Sequence, residues 1–387
     1  MRSRWTLVGA LASAVVLVAG CAPPPQTAPR AVEVHTEYGR SCALLEDGTV
    51  RCWGGGFTGD GTTGTLAPLP VEVTGLDDVV DVGVGVGHSC AVRADGTVWC
   101  WGAGNFGQLG GAPVDEATVP VQVPEIEDAV AVAPGYFHTC ALDAGGEVSC
   151  WGDNRSGQLG QPGGGMRTEP VTVPGLPRVV ELSAGFVHTC ALDESGVAWC
   201  WGANERGALG NGQTDPASPT PTRVVGLTDL TSIDGGWLHT CAVRVDGTAW
   251  CWGGNNPYWG GRPTGQLGDG TTDNSSVPVR VLGLTDVVGV SAGWEHTCAV
   301  RSNGTAACWG GDTDGELGTG EVLGHSLVPV PVVGMGDATQ VSAGFHQSCA
   351  LRGSGHVVCW GSNWSGGLGH GGEDPQVPAP VRVWPPR

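Results

Sequence analysis

Fifteen cysteines are the residues of this 387-residue chain best suited to chemistry. Fourteen form seven pairs with nine residues between partners: Cys42 with Cys52, Cys90 with Cys100, Cys140 with Cys150, Cys190 with Cys200, Cys241 with Cys251, Cys298 with Cys308 and Cys349 with Cys359. Thiols so arranged could ligate a metal or oxidise to disulfides. Zinc sites favour cysteines two to four residues apart, so the spacing favours disulfides. A tryptophan follows each second cysteine: Trp53, Trp101, Trp151, Trp201, Trp252, Trp309 and Trp360. His88, His138, His188, His239 and His296 stand two before a cysteine, with Arg40 and Gln347 in that slot in the outer copies. A ring of imidazoles could hold a metal, but repeated units keep equivalent positions far apart. The expectation is one structural hydrogen bond per unit, fixing the turn after the preceding glycine.

The cysteines must be positioned by hairpins. In the copy at 90–100, Cys-Ala-Val-Arg and Thr-Val-Trp-Cys flank Ala94-Asp95-Gly96. Two β-prone runs around such a loop read as a type I turn followed by a left-handed glycine. That loop pairs Arg93 with Thr97 and sets Cys90 opposite Cys100, on a non-hydrogen-bonded pair where side chains approach closely enough to bridge. Glycine holds the third loop position in all seven copies: Gly48, Gly96, Gly146, Gly196, Gly247, Gly304 and Gly355. Each small ring stabilises the chain by at most roughly 2–3 kcal/mol.

Two further strands are expected before each hairpin. One is a Pro-Val-x-Val run, at 70–73, 120–123, 170–173, 278–281 and 380–383, with looser forms at 221–224 and 331–333. The other ends near a glycine five before the first cysteine, at 79–85, 129–135, 179–185 and 287–293. Four short strands repeating every fifty residues or so are propeller blades. The fold expected is all-β, a seven-bladed β-propeller. The chain opens at Ala31-Val32-Glu33-Val34 without a Pro-Val-x-Val run and ends on a spare one, Val381-Arg382-Val383. The C-terminal strand is therefore expected to complete the first blade and close the ring.

The pattern G-x-x-H-[ST]-C-A-[LV]…DG…CWG-x-N-x-x-G-x-L-G resembles the regulator-of-chromosome-condensation (RCC1) repeat over about residues 31–384. Two copies depart from it. The first reads Trp53-Gly54-Gly55-Gly56 and lacks the Gly-x-Leu-Gly end, and the fifth carries an insertion at 256–263. The resemblance implies an interaction platform. The guanine-nucleotide exchange and chromatin binding of the founding nuclear member are not expected to transfer, because fold does not fix function. Secreted bacterial propellers of related repeat type that inhibit β-lactamases through rim contacts are a nearer precedent.

Residues 1–20 read as a signal peptide, with Arg2 and Arg4 before an apolar run too short to span a bilayer. Val18-Ala19-Gly20-Cys21 resembles a bacterial lipobox, which makes Cys21, the one unpaired cysteine, the expected lipidation site. Residues 21–30 form a Pro-rich tether, 31–384 the propeller and 385–387 a tail. The location expected is the bacterial cell envelope, lipid-anchored and outside the cytoplasm, where disulfides persist. The formal charge is −20, and about −22 once the two leader arginines are removed. Nucleic-acid affinity rests on neutralising phosphates, so that partner is not expected. A monomer with neither cofactor nor metal is expected. Asp312-Thr313-Asp314-Gly315 faintly resembles a calcium loop but lacks its later ligands, and it occupies an ordinary turn slot. No Ser/His/Asp set stands clear of repeat positions, so an enzyme is not expected.

Binding is the expected role. Four before each first cysteine stand Tyr38, Val86, Tyr136, Phe186, Trp237, Trp294 and Phe345. Six of the seven are aromatic and their identity varies, unlike that of the structural tryptophans. Equivalent loops of a propeller share one rim, and Tyr and Trp are common interface anchors. Packing between blades is the competing reading. Tyr258 and Trp259, beside Arg262 in the insertion, are further candidates, since insertions in repeats map to loops. The expected function is noncovalent binding of a protein through one rim. A lectin-like carbohydrate or cell-wall binder, a secreted enzyme inhibitor and, by analogy, an exchange factor are the alternatives.

Overall fold

A computed structural model describes residues 28–385, apart from 65, 112–113 and 257–263. Tyr258, Trp259, Arg262 and Cys21 lie outside the described residues. Seven four-stranded antiparallel sheets follow one another along the chain, each built from a contiguous stretch. In blade 1 the strands are β1 (Ala31–Glu37), β2 (Arg40–Leu45), β3 (Val50–Gly54) and β4 (Ala67–Glu72). The other blades begin at Val79, Ala129, Val179, Leu230, Val287 and Ala338. Among the described residues, no helix is long and apolar enough to cross a membrane.

The hairpin register is as expected. The Gly96 amide donates to the Arg93 carbonyl and the Arg93 amide to the Thr97 carbonyl, while Cys90 faces Cys100. Gly96 has φ of 81°, and a Cβ there would stand 2.1 Å from the Glu127 carbonyl oxygen. Glycine is thus required both by the turn and by the neighbouring chain. Every expected bridge forms within its own hairpin. Cys42 is bonded to Cys52, Cys90 to Cys100, Cys140 to Cys150 and Cys190 to Cys200. Cys241 is bonded to Cys251, Cys298 to Cys308 and Cys349 to Cys359. The bridged Cα atoms are 4.0–4.1 Å apart in all seven, the close spacing of a non-hydrogen-bonded pair.

The grouping of strands differs from the expectation. The Pro-Val-x-Val run follows its own hairpin as the outermost strand: Val71 pairs with Cys52 and Val121 with Cys100. An edge position suits proline, which has no amide to donate. The C-terminal strand, Gln376–Trp384, accordingly pairs with Val357–Ser362 of blade 7, not with blade 1. Closure still involves it. Val383 and Trp384 share a core cluster with Ala31, Val34, Leu45 and Trp53 of blade 1. The Ala31 amide donates to the Gly355 carbonyl at 3.1 Å, and Trp384 Nε1 to the Pro29 carbonyl at 2.9 Å.

The core lies between blades. Cys190, Leu192, Leu209 and Val224 pack with Ile233 and Trp252 of the following blade, and each of the seven repeat tryptophans is fully buried. A polar latch accompanies six of these contacts. Trp201 Nε1 and Thr189 Oγ1 both donate to the Gln158 carbonyl of blade 3, at 2.9 and 2.8 Å. His138 Nε2 lies 3.0 Å from the same hydroxyl oxygen. Because that hydroxyl donates its proton to the carbonyl, the imidazole must donate to it from Nε2. His88, His188, His239 and His296 make the same link at 2.8–2.9 Å. The histidines are structural as expected, but their bond crosses to the next blade instead of closing their own turn. Burial pushes them down, to about 3 for His88, His138 and His239 and about 4 for His188 and His296.

The two outer slots keep the function with other chemistry. Gln347 Nε2 donates to Ser41 Oγ at 3.2 Å. Arg40 donates to the Gly85 and His88 carbonyls of blade 2 at 3.0 and 2.8 Å. Blade 1 lacks the Gly-x-Leu-Gly turn that supplies the latch carbonyl. Trp101 Nε1 and Ser89 Oγ, which would donate to it, are buried without a hydrogen-bond partner among the described residues.

The topology also fixes two faces. β1 starts with Ala31 opposite Leu45, beside the Asp47-Gly48 turn, and ends with Glu37 opposite Arg40, beside Tyr38. The Asp-Gly turns and both ends of the described chain lie on one face. The loops carrying the aromatic residues lie on the other.

Candidate functional site: an aromatic mouth over an acidic channel

Each aromatic sits in a tight link between the first and second strand of its blade. In blade 4, the Gly185 amide donates to the His188 carbonyl, and the Phe186 amide reaches across to the Gly236 carbonyl of blade 5 at 3.1 Å. A Cβ on Gly185 would stand 2.6 Å from that same oxygen, so the close approach requires glycine. Val86, Tyr136, Trp237 and Trp294 make equivalent cross-blade amide bonds at 3.0–3.3 Å. Their backbone is therefore held before any ligand arrives.

The side chains turn inward over the central axis. Tyr136 stacks on Phe186 at 3.9 Å between ring centroids, Trp237 meets Trp294 edge-on at 4.4 Å, Trp294 meets Phe345 at 3.7 Å and Phe345 meets Tyr38 at 4.8 Å. Rings from blades 4 and 6 come within 6.0 Å of each other (Phe186 and Trp294), so they meet across the mouth of the channel. Val86 lines the same mouth. The six aromatics thus share one face, and they also pack on neighbouring blades.

Three rings extend the cluster that the sequence reading did not single out. Phe137 stacks on Tyr136 at 3.6 Å and on Phe106 at 4.0 Å, while Trp364 stands edge-on to Tyr38 at 6.4 Å. Trp364 is 64% exposed and Tyr38 42%. The signal for these three was a residue type that changes from copy to copy, one residue after the first aromatic for Phe137 and three or four after the Trp-Gly pair for Trp364 and Phe106. Beside them opens a groove of about 470 Å³ lined by Tyr38, Asp314, Phe345, His346, Ser362, Trp364 and Pro375.

Below the mouth runs a channel of about 360 Å³ lined by the innermost strands. It gathers carboxylates that no sequence pattern marked. Burial, then the charge of Asp234, pushes Glu37 up to about 8. Burial, then Glu33, pushes Asp81 up to about 7. Glu181 rises to about 7 through burial, and Asp234 is also raised by burial. Most of these groups have structural partners. Asp81 accepts from the Val132 amide at 2.8 Å, Glu181 from Ile233 at 3.1 Å and Asp234 from Ala292 at 2.8 Å. Gln340, Ser342 and Ser183 accept from Val34, Thr36 and Gly235 in the same way. An innermost strand is a sheet edge with amides to satisfy, and in blades 1, 3, 5, 6 and 7 lining side chains of the preceding blade accept from some of them.

At the seam of blades 6 and 7 lies a smaller cluster. His346 Nδ1 is 2.7 Å from Glu316 Oε1 and 3.6 Å from Asp314 Oδ2. Asp312, in the sequence that resembles a calcium loop, is buried in its turn and accepts from the Leu317 amide at 3.0 Å. Asn154 does the same for Leu159, so the turn reading holds for Asp312.

An RCC1-like domain model matches residues 19–258, and RCC1 repeat models match 246–300, 287–316 and 338–366. The chain is similar to the ultraviolet-B receptor UVR8 of Arabidopsis thaliana, 30% identical over 163 residues, 41% of this chain and 35% of that protein. It is also similar to the probable E3 ubiquitin-protein ligase HERC6 of Homo sapiens, 35% identical over 128 residues, 32% of this chain and 12% of that one. The matched stretch is thus well under two thirds of either relative. Among solved structures, Prp20p of Saccharomyces cerevisiae, described with its binding to Gsp1p and histones, superposes with TM-score 0.76 at 24% identity, covering 88% of this chain and 87% of that one. Human WBSCR16 superposes with TM-score 0.75 at 22% identity over 87% and 94%.

Proposed function

The chain belongs to the RCC1-like domain family, and on that premise we propose that it is a noncovalent protein-binding scaffold, held in the cell envelope by a lipid on Cys21. The aromatic mouth is the surface that engages the partner. The observation that carries this reading is the continuous run of nine rings on one face, ending in the exposed Tyr38 and Trp364. Large rigid aromatics are the side chains most often responsible for binding energy at protein interfaces. Cross-blade amide bonds hold the backbone of Tyr136, Phe186, Trp237 and Trp294 in place, which lowers the ordering cost of association. Binding of protein partners by Prp20p, as described for that protein, is consistent with such a use. The channel carboxylates give no support to an enzyme, because most of them are occupied in holding blades together.

The test is chemical crosslinking on intact cells followed by mass spectrometry, with Trp364→Ala and Tyr38→Asn alongside wild type. Both residues are exposed, and asparagine tolerates the left-handed backbone of Tyr38 (φ 41°). We expect one protein captured by wild type and depleted at least about tenfold by either variant, the scale of a hot-spot loss, with unchanged circular dichroism. Equal capture by all three would refute the reading. The exposed Trp364 beside an open groove favours a second reading, a glycan stacked on the rings. A glycan-array signal without any captured protein would select it.

A further inference from the structure

The geometry points to a divalent-cation site at the seam of blades 6 and 7, in which Asp314, Glu316 and His346 bind a first-row metal ion such as zinc. This inference goes beyond the scaffold reading and does not depend on it. One ligand atom from each residue lies within 4.8 Å of the other two. Zinc with three N/O ligands at about 2.1 Å needs the donors roughly 3.4 Å apart. The His346–Asp314 separation of 3.6 Å already meets this, and the 2.7 Å His346–Glu316 contact opens by a small side-chain rotation. Calcium is a poorer fit, since it seeks six to eight oxygens and avoids imidazole.

Two features set this cluster apart from a surface ion pair. The first is the comparison with other blades. At the seam of blades 2 and 3 the equivalent pair is Phe106 stacked on Phe137. The slot of Glu316 holds Gln108, Gln158 or Gln266 elsewhere, and Gln158 accepts the Ser156 amide as Glu316 accepts that of Asp314. Nothing in the fold needs three ligands here. The second is the surroundings. Glu316 is buried, its Oε1 held by Thr313 Oγ1 at 3.1 Å and its Oε2 by the Asp314 amide at 2.8 Å, a set of outer contacts that orients a ligand. Asp314 and His346 line the groove, which leaves a path for the ion and an open coordination position. Glu295 also acts electrostatically on His346, so carboxylates outnumber the one imidazole.

The same comparison supplies variants that should fold. Glu316→Gln, Asp314→Ser and His346→Val each install a residue that another blade carries in that slot: Gln158, Ser156 and Val187. The oxidised full-length chain, without a histidine tag, is titrated with Zn²⁺ at pH 7.5 against a chromophoric chelator, and with Co²⁺ to read coordination from its d–d bands. Wild type should bind one equivalent with a four-coordinate cobalt spectrum. Each variant should bind more than about 100-fold more weakly, beyond the loss caused by removing an outer-sphere partner. Either of two results overturns the proposal: no zinc bound by wild type, or zinc bound equally by the Glu316→Gln protein with its circular dichroism unchanged.

Discussion

The latch histidines should make stability fall in acid, and His188 isolates the effect. It is 1% exposed, its Nε2 donates to Thr240 at 2.9 Å, and burial alone pulls it down to about 4. In the unfolded chain a histidine titrates near 6.5. Between those values the unfolded state binds the proton and the folded state does not. The stability tied to this group is therefore complete above about pH 6.5 and lost as pH falls toward 4. At pH 5 protonating the unfolded chain is worth about 2 kcal/mol, and the folded state recovers almost none of it. Glutamine fills this slot in blade 7, where Gln347 Nε2 donates to Ser41 Oγ, so His188→Gln should keep the bond without the titration. We expect the variant within about 1 kcal/mol of wild type at pH 8, one hydrogen bond's worth, and the difference to move about 2 kcal/mol in its favour at pH 5. Guanidinium unfolding of both oxidised proteins at the two pH values measures this. Protonation of Glu37, Asp81 and Glu181 works in the opposite direction, but it is common to both proteins and drops out of the comparison. A stability gap that is identical at pH 8 and pH 5 would refute the reasoning.

Two further outcomes test the inter-blade contacts and the bridges. Trp151→Phe removes a donor to the Gln108 carbonyl at 2.9 Å, whereas Trp101→Phe removes a donor that has no partner among the described residues. Trp151→Phe should cost about 1–2 kcal/mol more in chemical denaturation, and equal costs would show that the latch contributes nothing. Replacing Cys190 and Cys200 by serine should lower stability by at most about 3 kcal/mol, because the ring it opens is short. Loss of folding in that variant, judged by near-ultraviolet circular dichroism, would mean that the hairpin depends on its bridge.

The register of every hairpin was legible because one glycine at the third loop position determines which residues face each other. The division into blades was not. A cyclic repeat has a period but no marked starting point, and the strands at 70–73 and 79–85 read equally well as partners of either neighbouring hairpin. Only the pairing of Val71 with Cys52 decides it. The six aromatics were legible as sharing a face, since they occupy one slot of a repeat. Their convergence was not, because it depends on the radius of the ring and on how far each side chain reaches inward. His346 and Glu316 stand thirty positions apart. Their meeting required knowing that the slot after the Trp-Gly turn touches the next blade's link, as Phe106 and Phe137 also show.

The two ends of the described residues lie together, with Trp384 bonded to Pro29 beside the hairpin turns. Under the anchored reading this gives the molecule a polarity. A tether attached there would hold the turn side toward the lipid and aim the ring-lined opening outward, like a dish on a short mast. A partner would then have to approach from the medium or from a facing surface, and the neighbouring bilayer would be the one surface the opening does not meet.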